Sequence, residues 1–151
     1  MSCGDTLEEA QALECRFDQL VKAWLPPSCP SYGLEEYLDG GYASSNISGE
    51  QWPYWKDKDK ARPMSIEELG LIASNDGPGA EYWTTAREHM THCAWMLIRM
   101  AYTFTSGERT DFLVSNFPHA KHCALFMLDQ GLQGPHVDEV RGHGNVMFGF
   151  C

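Results

Sequence analysis

The stretch GAEYWTTAREHMTHCAWMLIRMAYTFTSG, residues 79–107, decides how this chain folds. Tyr82, Ala86, His89, Cys93, Met96, Leu97 and Met100 recur within it at three- and four-residue intervals, the spacing of one helical face. The pattern predicts a helix from about Gly79 to Thr105, ended by Gly107 and longer than any other in the chain. Another helix is predicted after Asn116, with Pro118 at its first position and Gly131 at its end. A short connection between the two favours antiparallel packing.

Each of these helices carries the same five-residue pattern. His89-Met90-Thr91-His92-Cys93 is repeated as His119-Ala120-Lys121-His122-Cys123. With six His and six Cys in 151 residues, chance supplies roughly 0.01 copies of such a pattern. Positions i, i+3 and i+4 share a helix face, so each motif presents two imidazoles and one sulfur to one side. Two such helices can converge four imidazoles on one point. Imidazole suits zinc, copper, iron and nickel. His89, His92, His119 and His122 are therefore the candidate metal ligands, with Cys93 and Cys123 as further candidates. The two sulfurs have two readings. A Cys93–Cys123 disulfide would tie the helices and leave nitrogen ligands alone, and it is the expected state in an oxidising compartment. Direct thiolate ligation would favour zinc or Cu(I). Met96 and Met100 lie along the His89 face, where methionine is ordinarily core filling. His136 and His143 flank a Gly-rich stretch and are expected to lie outside the site.

Working outward, Thr6-Leu7-Glu8-Glu9 and Ser65-Ile66-Glu67-Glu68 read as capping boxes. The first opens a helix to about Cys15, the second a helix that stops near Asn75 and Gly77. With an intact helix between them, Cys3 and Cys15 would stand too far apart to pair, making Cys29 the expected partner of one of them. Trp24-Leu25-Pro26-Pro27 ends any local helix, and Leu34 to Leu38 forms about one more turn. Residues 40–63 read as loop, with Trp52, Tyr54 and Trp55 packing over the core or rimming a cleft and residues 56–60 forming a solvated, alternately charged turn. The fold class is mostly α: one domain over residues 1–151, with two packed motif-bearing helices and long disulfide-tied loops.

The formal charge of −10 excludes nucleic acid as a partner, since no basic stripe displaces counterions. Residues 1–80 carry 14 acidic and 6 basic side chains, against 7 and 5 in residues 81–151, so the motif-bearing half is nearly neutral. An even cysteine count and the sequon Asn46-Ile47-Ser48 point to the secretory lumen and a glycoprotein. Neither a signal peptide nor a membrane-spanning apolar run occurs in these residues, and an N-terminal targeting segment preceding them is the expectation. No Ser-His-Asp order, phosphate-cradling glycine loop or haem-attachment motif is found.

The doubled His-x-x-His-Cys motif resembles that of the UstYa-like family of fungal secondary-metabolite oxidases. Other segments resemble one branch of that family: Cys3-Gly4-Asp5, Glu9-Ala10, Cys15-Arg16-Phe17-Asp18, Trp24-Leu25-Pro26 with Cys29, Trp52 to Tyr54, Arg62-Pro63 and the terminal Cys151. The resemblance implies a copper-dependent, O2-using enzyme that hydroxylates, halogenates, desaturates or oxidatively cyclises C–H bonds of peptides or other small metabolites. It makes His89, His92, His119 and His122 the catalytic metal-site histidines. It further implies a single-pass membrane anchor facing the lumen, a natural-product substrate, halide as a further reactant, and a homo- or hetero-dimer. Trp83, Trp95, Met96 and Phe126 are expected to form an apolar shell, and no side chain stands out as a general base. Two rival readings are a secreted binding domain with a closed zinc site and a non-catalytic partner subunit of an oxidase.

Overall fold

The computed structural model describes residues 2–44, 52–74, 81–135 and 138. The predicted sequon at Asn46, the helix stop at Asn75 and Gly77, the helix start at Gly79, His136, His143 and Cys151 all lie outside the described residues. The fold is mostly α, as the sequence predicts, with five helices among the described residues and small strands between them.

Helix α1 (Leu7–Ala12) starts at the capping box: Thr6 Oγ1 accepts from Glu9 N at 3.2 Å, and Glu9 Oε2 accepts from Thr6 N at 3.1 Å. It ends earlier than predicted because the chain reverses. Glu14 takes a left-handed φ of 55°, and Cys15 N donates to Ala10 O at 2.9 Å. Gly4, at φ 78°, turns the other flank. Both flanks thus fold back along a helix only about 9 Å long. Cys3 and Cys15 form a disulfide across it, with Cα atoms 6.0 Å apart. The expected pairing with Cys29 is overturned, and Cys29 is a free thiol.

Strands β1 (Arg16–Asp18) and β2 (Ala23–Leu25) pair antiparallel as a hairpin that the sequence reading missed. Asp18 holds its turn, Oδ1 accepting from Val21 N at 3.0 Å while its own carbonyl accepts from Lys22 N at 2.8 Å. Lys22 is left-handed there, at φ 61°. Leu20 and Val21 at the turn are fully buried. Helix α2 (Leu34–Ser44) is twice the predicted length. It begins after Gly33, where φ is 80° and a Cβ would stand 2.8 Å from the Trp95 ring, so no other residue fits. The stretch expected to be loop contains the end of α2 and two short strands. These are β3 (Tyr54–Trp55) and β4 (Pro63–Met64), which join β5 (Trp83–Thr84) in a sheet ordered β4-β3-β5. Trp52 and Tyr54 pack into the core rather than around a cleft, both being nearly fully buried.

Helix α3 (Ile66–Leu71) follows the second capping box, as predicted, and passes into a 3-10 turn at Ile72–Ser74. Helix α4 (Ala86–Ser106) is capped by Thr85, whose Oγ1 accepts from Glu88 N at 3.1 Å, and ends at left-handed Gly107. Its start seven residues after the predicted Gly79 reflects residues 83–84 joining the sheet instead. Helix α5 (Phe117–Leu132) is capped by Asn116, with Pro118 at the second position rather than the first. The buried face of α4 runs Glu88, His92, Cys93, Met96, Arg99, Thr103, so the stripe is turned relative to the predicted one; Ala86 and Met100 are exposed. Arg99 is wholly buried, donating to Asp18 Oδ2 at 2.8 Å and to Tyr32 O at 2.7 Å. That pair ties α4 to the hairpin turn. No helix among the described residues is long and apolar enough to cross a membrane.

Candidate metal centre

Antiparallel packing of α4 on α5 sets the first residue of each motif against the fourth of the other. His89 faces His122 with ring centroids 5.5 Å apart, and His92 faces His119 at 5.7 Å. His89 and His92 lie 6.0 Å apart along α4. All four predicted histidines therefore meet in one patch between the helices.

They do not meet equally. His92 is buried, and its Nδ1 lies 2.7 Å from Leu20 O at the hairpin turn. A carbonyl only accepts, so the ring proton sits on Nδ1 and the Nε2 lone pair is left for another partner. His119 repeats the arrangement, Nδ1 to Leu113 O at 3.3 Å. Metal-binding histidines are oriented in this way by backbone carbonyls. On its Nε2 side His119 meets Cys123 Sγ at 3.6 Å. One ligand atom each from His92, His119 and Cys123 lie within 4.8 Å of one another. An ion with bonds of about 2.0 Å to nitrogen and 2.3 Å to sulfur in tetrahedral geometry spans about 3.5 Å between such ligands. The donor set fits a metal ion on that measure. His89 and His122 stand further out: His122 is exposed, and His89 stacks on Phe126 at 4.1 Å.

Burial pushes the His92 imidazole down to about 3, helped by the Lys22 charge, and it depresses His89 as well. Both rings are thus neutral and able to ligate at ordinary pH. Cys93 and Cys123 are fully buried free thiols, so the expected disulfide between them is not formed. The Cys123 side chain and burial push Cys93 up, and the Cys93 side chain pulls Cys123 down.

The expected apolar shell is partly present. Phe126 covers His89, and Met96 lines a narrow crevice of about 10 Å³ with Met100, Leu113, His119 and Cys123. Trp95 lies against Gly33, and Trp83 is 42% exposed on β5, so neither closes over the histidines.

The sequence reading missed the polar cluster behind the centre. Glu88 is 1% exposed; its Oε1 accepts from Lys22 Nζ at 2.9 Å, from Tyr37 Oη, and from Tyr54 Oη at 3.3 Å. Lys22 Nζ also donates to Gln19 O at 2.6 Å and Tyr37 Oη at 2.8 Å, using its three protons. Burial alone would raise Glu88, but the Lys22 charge and the bonds from Tyr37 and Lys22 outweigh it, holding the carboxylate below its usual range. Burial and the Glu88 charge drive Tyr37 and Tyr54 far up. The available signal was Glu88 itself, one helical turn before His92 on the same face. Its Thr-x-x-Glu spacing from Thr85 disguises it as a surface cap.

No family model and no solved structure matches this chain. It is similar to the phomopsin biosynthesis cluster proteins B and B' of Diaporthe leptostromiformis, at 28% identity over 133 residues in each case. Those residues are 87% of this chain and 37% of each relative, so the chain spans little more than a third of their length. The relatives' names say where they belong, a fungal natural-product cluster, and are silent on metal and reaction.

Proposed function

We propose that this chain is a tailoring enzyme of UstYa-like type in which His89, His92, His119 and His122 hold copper. It would functionalise a C–H bond of a fungal secondary metabolite with O2, by hydroxylation, halogenation or oxidative ring closure. One observation carries the reading: the crossing of two identical motifs gathers four imidazoles, two of them oriented by backbone carbonyls with Nε2 turned inward. Copper, when bound, supplies one-electron redox chemistry with O2 as acceptor. The chain's own residues do the rest. Leu20 O and Leu113 O fix the tautomers of His92 and His119. Phe126 stacks on His89 and His122, and Met96 lines the crevice beside His119. The exposed edge of His122 leaves room for a substrate larger than that crevice. A secretory-lumen location and a membrane anchor belong to the same proposal.

The test is metal analysis with electron paramagnetic resonance and oxygen uptake. About one or two copper ions per chain, a Cu(II) signal with nitrogen splitting and reductant-dependent oxygen uptake are expected. A tightly held, signal-silent zinc ion without oxygen uptake would replace the enzyme reading with a closed structural site. The close-set ligand atoms of His92, His119 and Cys123 are the observation that favours this second reading.

A further inference from the structure

The best-held ring of the centre depends on a carbonyl in a turn, and the turn is itself held from α4. Glu88, His92 and Arg99 stand on one face of that helix, over about 16 Å of its length. The 18–22 turn meets them in reverse order. Asp18 Oδ2 accepts from Arg99 at 2.8 Å, Leu20 O stands 2.7 Å from His92 Nδ1, and Lys22 Nζ donates to Glu88 Oε1 at 2.9 Å. An ion pair pins each end of the turn, and the contact that orients the imidazole lies between the pins.

Lys22 is the less expected of the two pins. Its φ of 61° lies in the left-handed region, where glycine or asparagine sits with less strain. Strain of this kind persists where the surroundings over-determine it, and here the side chain does so. That side chain is only 8% exposed. Its amine joins three elements at one atom: Gln19 O within the turn at 2.6 Å, Tyr37 Oη on α2 at 2.8 Å, and Glu88 on α4.

We propose that Lys22 and Glu88 are positioning residues of the metal centre, their ion pair holding Leu20 O against His92 Nδ1 so that the Nε2 lone pair stays turned to the ion. This rests on reading the centre as a metal site, although the tautomer it concerns exists without metal. Neutral imidazole carries one ring proton, and only the other nitrogen can ligate. Free histidine prefers that proton on Nε2. The Leu20 carbonyl reverses the preference only while the turn stays in place. Released at the Lys22 end, the turn draws back, the proton returns to Nε2, and the inner site loses a donor. The other pin, at Arg99, is two helical turns beyond His92 and holds the opposite end.

Histidine labelled with nitrogen-15 reports the tautomer in the metal-free protein, because protonated and bare ring nitrogens resonate far apart. Wild-type His92 should carry its proton on Nδ1. Lys22→Met combined with Glu88→Gln removes both charges at nearly constant volume, so that neither is left buried alone. This variant should populate the Nε2–H form of His92 and bind copper about tenfold more weakly in a chelator competition. Glu88→Gln alone keeps the shape of the side chain and should shift the tautomer less, in the same direction. It decides the matter if the double variant does not fold. Lys56→Met with Glu68→Gln removes an exposed ion pair and should move neither readout. A wild-type His92 protonated on Nε2, or an unmoved tautomer in the folded variants, overturns the proposal, whatever happens to copper affinity. A tautomer that shifts as expected in a protein that binds no copper removes the copper reading and leaves the clamp standing.

Discussion

The inner and outer halves of the centre are built from the same five-residue motif and differ in what stands behind them. His92 and His119 are each held by a backbone carbonyl, from Leu20 and Leu113, and face a buried sulfur. His89 and His122 stand against each other and against Phe126, and His122 is open to solvent. Repetition in sequence supplied the ligand types. Asymmetry in packing decides which of them are fixed and which can move to meet an ion or a substrate.

Removing the best-held ring should cost most. His92→Ala is expected to abolish copper retention and oxygen uptake and also to destabilise the fold by about 1–3 kcal/mol, since Leu20 O loses its donor in a buried place. Urea unfolding of the metal-free protein and metal analysis measure the two effects. A variant that loses copper with unchanged stability would erase the distinction between inner and outer rings.

Acid should find the same ring. His92 is depressed to about 3 in the fold against 6.5 unfolded, so the unfolded chain binds the extra proton. Stability of the metal-free protein should therefore fall as pH drops from about 6.5 towards 3 and be insensitive to His92 above that window. His92→Gln should flatten the slope. An unchanged slope in that variant would place the acid sensitivity elsewhere.

The outer rings should separate function from stability. His89→Ala and His122→Ala should each abolish oxygen uptake and weaken copper binding, with stability changed by no more than about 0.5 kcal/mol for exposed His122. The smallest effects are expected at His136→Ala and His143→Ala, which should leave most copper and most uptake. Neither has a second histidine at helical spacing to bind the same ion. Copper loss there as complete as in His89→Ala would enlarge the centre to six histidines.

Much of this was legible in the chain because it is local. The capping boxes at Thr6 and Ser65, the Asn116 cap and the Gly107 stop each need only neighbours within four residues, and the motif spacing needs only a helix. What was hidden depends on partners far away. Thr6–Glu9, Ser65–Glu68 and Thr85–Glu88 share one signature, yet only the first two close as capping boxes. Glu88 is drawn inward because Lys22, left-handed at the end of a tight turn, brings a buried charge to it. Helical spacing likewise argued against a Cys3–Cys15 bond, since nothing in the spacing announces that Glu14 reverses the chain. The inequivalence of Cys93 and Cys123 belongs to the same class: identical in pattern and equally buried, yet it is Cys123 that lies with His92 and His119.

The bond from His92 to Leu20 spans 72 residues of sequence, and it gives the centre a place in the order of folding. Contacts of such separation form after local ones, so the hairpin turn and the α4–α5 pair can exist before the centre is complete. An ion that binds only the finished centre then stabilises the docked hairpin by mass action, although it touches no hairpin side chain. Amide hydrogens of residues 16–25 should accordingly exchange more slowly in the metal-loaded protein than in the metal-free one. The N-terminal hairpin becomes the part of the molecule whose breathing reports whether the metal is in place.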